Sequence, residues 1–132
     1  MCCDPVSYES VAADATHPAA FGPGGLVLGW FAANRFLDRH VEAEHADALA
    51  RLRAGELSGP DLYRALGGRF TSDLLSAEGN RFARAEFAAL REAADQALRE
   101  AGEEAAYARL APTLDARYAS FRRATAAKKR RG

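Results

Sequence analysis

The chain has 132 residues, 48% hydrophobic and 27% charged, which is the composition of one ordinary globular domain. Eighteen basic and eighteen acidic side chains cancel to zero net charge, so the chain as a whole is neither a polyanion nor a polycation. Its most apolar run, residues 26–33, is far short of the ~20 residues that span a bilayer.

The cancellation of charge is uneven. Residues 1–66 hold nine acids and five bases, and residues 67–132 hold nine acids and thirteen bases. The last seventeen positions, 116–132, carry seven bases and no acid. Such separation can draw the termini together or offer two opposite faces to partners. Lys128 and Lys129 are the only lysines, and with so much Ala, Gly and Arg the composition points to a GC-rich bacterial genome. Cys2 and Cys3 are adjacent, a strained arrangement for an intrachain bridge, so a reduced, cytoplasmic protein is expected. No basic and then apolar leader precedes them, and no signal peptide is expected.

In chain order, residues 1–22 read as an arm punctuated by Pro5 and Pro18, with a short helical turn over residues 6–15. A helical domain is expected over residues 23–126 and a basic tail over 127–132. Its first helix starts near Pro23, where proline suits an opening turn. Leu26, Val27, Leu28, Trp30 and Phe31 make that helix apolar on all sides, so it belongs in the core. Residues 42–54 form the next helix, with Gly55 as its stop. Ser58-Gly59-Pro60-Asp61 is a helix start, with Ser58 or Gly59 at the cap and Asp61 near the positive helix end. Gly67-Gly68 ends that helix, and Thr71 or Ser72 caps a short one over residues 73–78. Gly79 is read as its end and Asn80 as the cap of a long helix over residues 80–101. Phe82, Phe87 and Leu90 are placed on one inward face of it. Beyond Gly102, Tyr107, Leu110, Leu114, Tyr118 and Phe121 recur at helical spacing across Pro112, so either one helix kinks there or two abut. No alternating strand pattern is visible. The expected fold is all-α: a compact single-domain bundle of five to seven helices around a core that includes Leu28, Trp30, Phe31, Phe82, Phe87 and Leu90. Trp30 is expected to pack on both Phe82 and Phe87.

Leu75, Glu78-Gly79-Asn80, Phe82-Ala83 and Phe87 resemble the L-x-x-E-G-N-x-F-A-x-x-Y-Y signature of an uncharacterised family of small bacterial helical domains. Glu86 stands where that signature has its first aromatic. Gly25, Leu28 and Trp30 are similar to the family's H-x-G-x-x-L-x-W helix, with Pro23 in the histidine's place. The resemblance implies a helical fold and no particular chemistry.

Candidate sites are few. Residues 40–45 contain His40 and Glu44 at i,i+4 and one E-x-x-H in Glu42 and His45, but a di-iron bundle needs two such motifs and further carboxylates, so a solvated helix face is expected. Gly22-Pro23-Gly24-Gly25 lacks the Lys-Ser/Thr ending of a phosphate loop and reads as an entry to the core helix. Gly25-x-x-x-Gly29 reads as a close-packing motif. Glu78, Asn80, Arg81 and Arg84 surround the helix break, either as caps and solvated charges or as a polar binding site. The run from Lys128 to Arg131 reads as a disordered, solubilising tail, with phosphate contact as the alternative. No cofactor is expected. The reading that follows is a cytoplasmic protein-interaction domain, in its most concrete form an immunity protein that neutralises a toxin, with another protein as partner rather than nucleic acid or a membrane. A small enzyme using Glu78 and Asn80 beside His40 or His45 is the alternative, and a nucleic-acid role through the tail is third.

Overall fold

A computed structural model describes residues 7–10 and 22–131, in the order β1 (Ser7–Ser10), α1 (Gly22–Ala33), α2 (Arg39–Glu44), α3 (Ala46–Arg53), α4 (Gly59–Ala65), β2 (Arg69–Thr71), a 3₁₀ turn (Ser72–Leu74) and α5 (Ala77–Arg131). α1 is the axis of the assembly. Every residue of it from Gly22 to Ala32 is buried, as expected for a helix without a polar face.

α4 crosses α1 at a contact built from glycine. A methyl group on Gly59 would lie 2.2 Å from the carbonyl oxygen of Gly25, and one on Gly25 would lie 2.4 Å from Pro60 Cα. The Gly25-x-x-x-Gly29 spacing therefore serves close packing, with Gly29 also against Gly59. Ser58 caps α4, its Oγ accepting the Asp61 amide at 3.2 Å.

Three helices end in the same way. The amides of Arg35 and Phe36 return to the carbonyls of Ala32 and Phe31, those of Gly55 and Glu56 to Leu52 and Arg51, and those of Gly67 and Gly68 to Arg64 and Tyr63. This pairing of the last turn requires a left-handed residue just past the helix. Gly55 and Gly67 take it at φ 82° and 87°, and Arg35 takes it at φ 61°. Residues 42–54 are not one helix: the chain is interrupted at His45 between α2 and α3.

α5 turns back on itself at Gly102, whose φ of 78° and ψ of 170° break the helix. Pro112 lies within its second half, which continues past it to Arg131, so the break belongs to the glycine and not to the proline. The helix covers the backbone of the basic run that the sequence suggested was a disordered tail. The two halves lie antiparallel, with Arg117 paired to Glu86 and Tyr118 to Glu78.

The N-terminal arm adds a strand. β1 pairs antiparallel with β2, with Ser7 opposite Thr71 and Ser10 opposite Arg69 and a shift of register between Ser7 and Glu9. The helical turn expected over residues 6–15 is replaced at residues 7–10 by this strand; the remainder, with Cys2, Cys3 and His17, lies outside the described residues. Two short strands have too few residues to show alternation, which is why they escaped the pattern.

Leu28, Trp30, Phe31, Phe82, Phe87 and Leu90 are all buried. Trp30 is 1% exposed, meets Phe82 with ring centroids 5.6 Å apart, and donates its indole N–H to Asp115 Oδ1 at 2.9 Å. Phe87 does not share that contact: it stacks on Tyr8 at 5.5 Å and meets Phe70 edge-on at 4.9 Å. Five residues of helix turn about 140° beyond a full revolution, so Phe82 faces the hairpin and α1 while Phe87 faces the sheet.

Trp30→Ala should cost about 3–5 kcal/mol, read as a large fall in unfolding temperature. Arg35→Gly should raise stability by up to about 1 kcal/mol in the same measurement, because relief of the left-handed conformation outweighs the added freedom of the unfolded chain.

Candidate functional site

Ser76 opens α5, its Oγ accepting the amide of Gly79 at 3.1 Å. Gly79 therefore ends no helix, and Asn80 caps none; both lie in the first turn of α5. The glycine is needed for contact: a methyl group there would lie 2.7 Å from the Phe36 carbonyl oxygen. Asn80 is a clasp. Its Nδ2 donates to the carbonyls of Ser72 at 2.8 Å and Leu75 at 3.3 Å, and its Oδ1 accepts the Tyr8 hydroxyl at 2.8 Å. One amide thus ties the 3₁₀ turn and β1 to α5.

Glu78 bridges the hairpin, accepting from Arg81 Nη2 at 2.7 Å and from the Tyr118 hydroxyl at 2.7 Å. The Tyr118 hydrogen bond, with that of Arg81 behind it, holds the Glu78 carboxyl below its ordinary range. Burial, and then the carboxylate it bonds, push the Tyr118 hydroxyl up to about 12. The Arg122 guanidinium carbon lies 6.0 Å from the Tyr118 ring centroid. Arg84 is exposed. Of the four residues grouped by sequence, Glu78 and Arg81 meet, Asn80 works on the other side of the turn, and Arg84 faces solvent. Glu86 spends its carboxylate on Arg117 across the hairpin.

The histidines stand elsewhere. His40 Nδ1 lies 2.5 Å from Asp38 Oδ2, and neither Glu78 nor Asn80 bonds to His40 or His45 among the described hydrogen bonds. Glu42 pairs with Arg53 at 2.7 and 3.0 Å, and the same guanidinium donates to the Ala32 carbonyl at 2.9 Å. This places a cation at the negative end of α1. No cluster of three or more metal-ligating side chains occurs among the described residues.

Among the described residues lies a concavity that the sequence did not announce. A groove of about 770 Å³ lies beside the α1–α4 crossing and reaches the Gly102 end of α5. Gly29 and Gly59 form part of its floor, and Leu26, Leu52, Leu57 and Leu98 give it apolar walls. Arg53, Asp61, Arg64 and Tyr107 supply the polar groups. Burial, and next the charge of Asp115, raise the pKa of the Tyr107 hydroxyl, so it remains a hydrogen-bond donor at neutral pH. The volume falls within the ~300–1,000 Å³ of small-ligand sites. Gly22, Gly29 and Gly59 line it, but each is in tight contact with its neighbours, so the open space was not legible from the glycines.

The Glu78–Tyr118 bond has a signed pH dependence. Because the Glu78 pKa is lowered from 4.5, its contribution to stability is present above that pH and is lost as pH falls through the lowered value. Because the Tyr118 pKa is raised from 10.0 to about 12, its contribution is present below pH 10 and is lost as pH rises through the raised value. The excess stability of the wild type over Tyr118→Phe should therefore be greatest between these limits and shrink on both sides. Chemical denaturation of the two proteins across pH checks this; a constant difference would remove the bond from the account.

No curated protein and no solved structure matches the chain. A family profile does, over residues 8–112, and so takes in β1, the clasp at Asn80 and the groove while stopping before the basic end of α5. With most of its length matched, the chain belongs to the family described as Domain of unknown function (DUF7832).

Proposed function

We propose that this chain is a small bacterial, cytoplasmic protein-interaction domain that holds a partner segment in the groove beside the α1–α4 crossing. Its most concrete form is an immunity protein that neutralises a toxin. The observation that supports this reading is the groove: concave, walled by leucines, edged by a few fixed polar groups and carried on rigid helix ends. Its chemistry suits holding more than proton transfer. Arg53 is already bound to Glu42 and the end of α1, and the raised Tyr107 pKa moves that hydroxyl further from acid–base work near neutrality. The enzyme alternative needs Glu78 or Asn80 beside a histidine, whereas their hydrogen bonds go to Arg81, Tyr118 and Tyr8.

Ala33 lines the groove yet is exposed, so Ala33→Trp fills the space without disturbing the core. Tagged full-length chain should retain a stoichiometric protein from its native host. Ala33→Trp should weaken that complex by about tenfold or more, equivalent to ~1.4 kcal/mol, at an unchanged unfolding temperature. The partner, expressed alone, should be toxic, and co-expression of this chain should suppress the toxicity. Repeated failure to recover a partner, or full retention by the tryptophan variant, would count against the groove. A harmless partner would leave binding and remove the immunity role.

A further inference from the structure

Two things hold β1 on the bundle: a short ladder to β2 and one side chain. The ladder spans four residues of β1 and is interrupted by the shift of register between Ser7 and Glu9. A two-stranded pairing of this length is marginal by itself. Tyr8 is therefore the anchor. Its ring stacks on Phe87 with centroids 5.5 Å apart and meets Phe70 edge-on at 6.0 Å, and its hydroxyl donates to Asn80 Oδ1 at 2.8 Å.

The surface under Tyr8 is built by the rest of the fold. Phe70 is packed by ring contacts with Phe31, Tyr63 and Phe87 at 5.7, 6.2 and 4.9 Å. Asn80 gives its Nδ2 hydrogens to the carbonyls of Ser72 and Leu75, which fixes the amide and leaves Oδ1 to accept from whatever covers the aromatic pair. With β1 lifted away, three parts remain: the backbone edge of β2, an aromatic floor and one fixed acceptor. These are the parts of a strand-addition site, in which backbone pairing gives affinity and a side-chain pocket gives choice. The choice here is tyrosine. A phenylalanine would cover the same floor but leave Asn80 Oδ1 without its donor.

We infer that the seat of β1 is a peptide-binding site which the chain's own residues 7–10 occupy, and that an extended segment of a partner protein bearing a tyrosine takes their place by pairing with β2. β1 is then an internal competitor. Its covalent connection to the bundle keeps it at a high local concentration, on the order of millimolar for a short linker, so a rival gains when the anchor is weakened or when the rival pairs better. A second copy of the chain offers only the same four residues, with no gain over the strand already in place. This site is separate from the groove at the α1–α4 crossing and does not depend on its role.

Fluorescence anisotropy of a labelled peptide with the sequence of residues 4–12, titrated with the full chain and with its Tyr8→Ala variant, tests the inference. The wild type should bind the peptide weakly, because its own strand competes. The Tyr8→Ala chain, whose strand has lost its anchor, should bind about tenfold more tightly or better. Phenylalanine in place of the peptide's tyrosine should weaken binding about fivefold, the loss of one hydrogen bond, and alanine there should abolish it. Circular dichroism and thermal unfolding establish that the Tyr8→Ala chain keeps the bundle. A variant that unfolds overturns the inference, since β1 would then be part of the core and not an occupant. No binding to the folded variant at ~1 mM peptide overturns it as well. Equal affinity of the two chains, or an alanine peptide that binds like the original, overturns it by placing the contact elsewhere. Concentration-dependent dimerisation of the wild type in sedimentation would give the seat to a second copy and overturn the partner.

Discussion

The approach of α4 to α1 is the constraint on which the rest of the structure depends. Neither Gly25 nor Gly59 has room for a methyl group, so backbone meets backbone at the crossing. The approach seals one side of a helix with no polar face, and α3 and α5 contact α1 as well. Moving α4 outward would expose apolar surface on both helices, a loss that scales with area at roughly 25 cal/mol per Å². The groove lies beside this crossing, with Gly29 and Gly59 in its lining.

A second set of interactions gives the chain a single arrangement around that axis. Trp30, Phe31, Phe82, Tyr118 and Phe121 form a continuous aromatic cluster joining α1 to both halves of α5. Aromatic burial is strong but weakly directional, and polar contacts supply direction. Asn80 can reach Tyr8, Ser72 and Leu75 together only when β1, the turn and α5 are in place. Glu78 meets Tyr118 only when the hairpin closes in one register. No buried side-chain nitrogen or oxygen among the described residues lacks a partner, which is the condition for such contacts to favour one fold.

The groove follows α1, whose Gly22, Leu26, Gly29 and Ala33 all line it. Leu98 and Tyr107 close it at the Gly102 end of the hairpin, and Arg53, held by Glu42 and the Ala32 carbonyl, stands at the other. At helical rise its extent along α1 is about 15–18 Å.

Much of the fold is determined by local preferences that the sequence carries openly. Ser58 caps α4 because its hydroxyl reaches an amide three residues away, and Gly55, Gly67 and Gly102 break helices because glycine adopts positive φ cheaply. The burial of Trp30, Phe31 and Phe82 follows from their place in apolar or amphipathic runs. Gly79 and Asn80 show where this logic stops. Glycine before asparagine reads as a turn and a cap, yet the first serves contact with Phe36 and the second holds residues up to 72 positions away. Glu78 likewise finds Tyr118 forty residues on, across a turn made by one glycine. The groove and the sheet are decided in the same way, by which segments come to lie side by side. Periodicity records which face of an element is apolar. What covers that face, and what is left uncovered, depends on volumes and distances that exist only once the chain has packed.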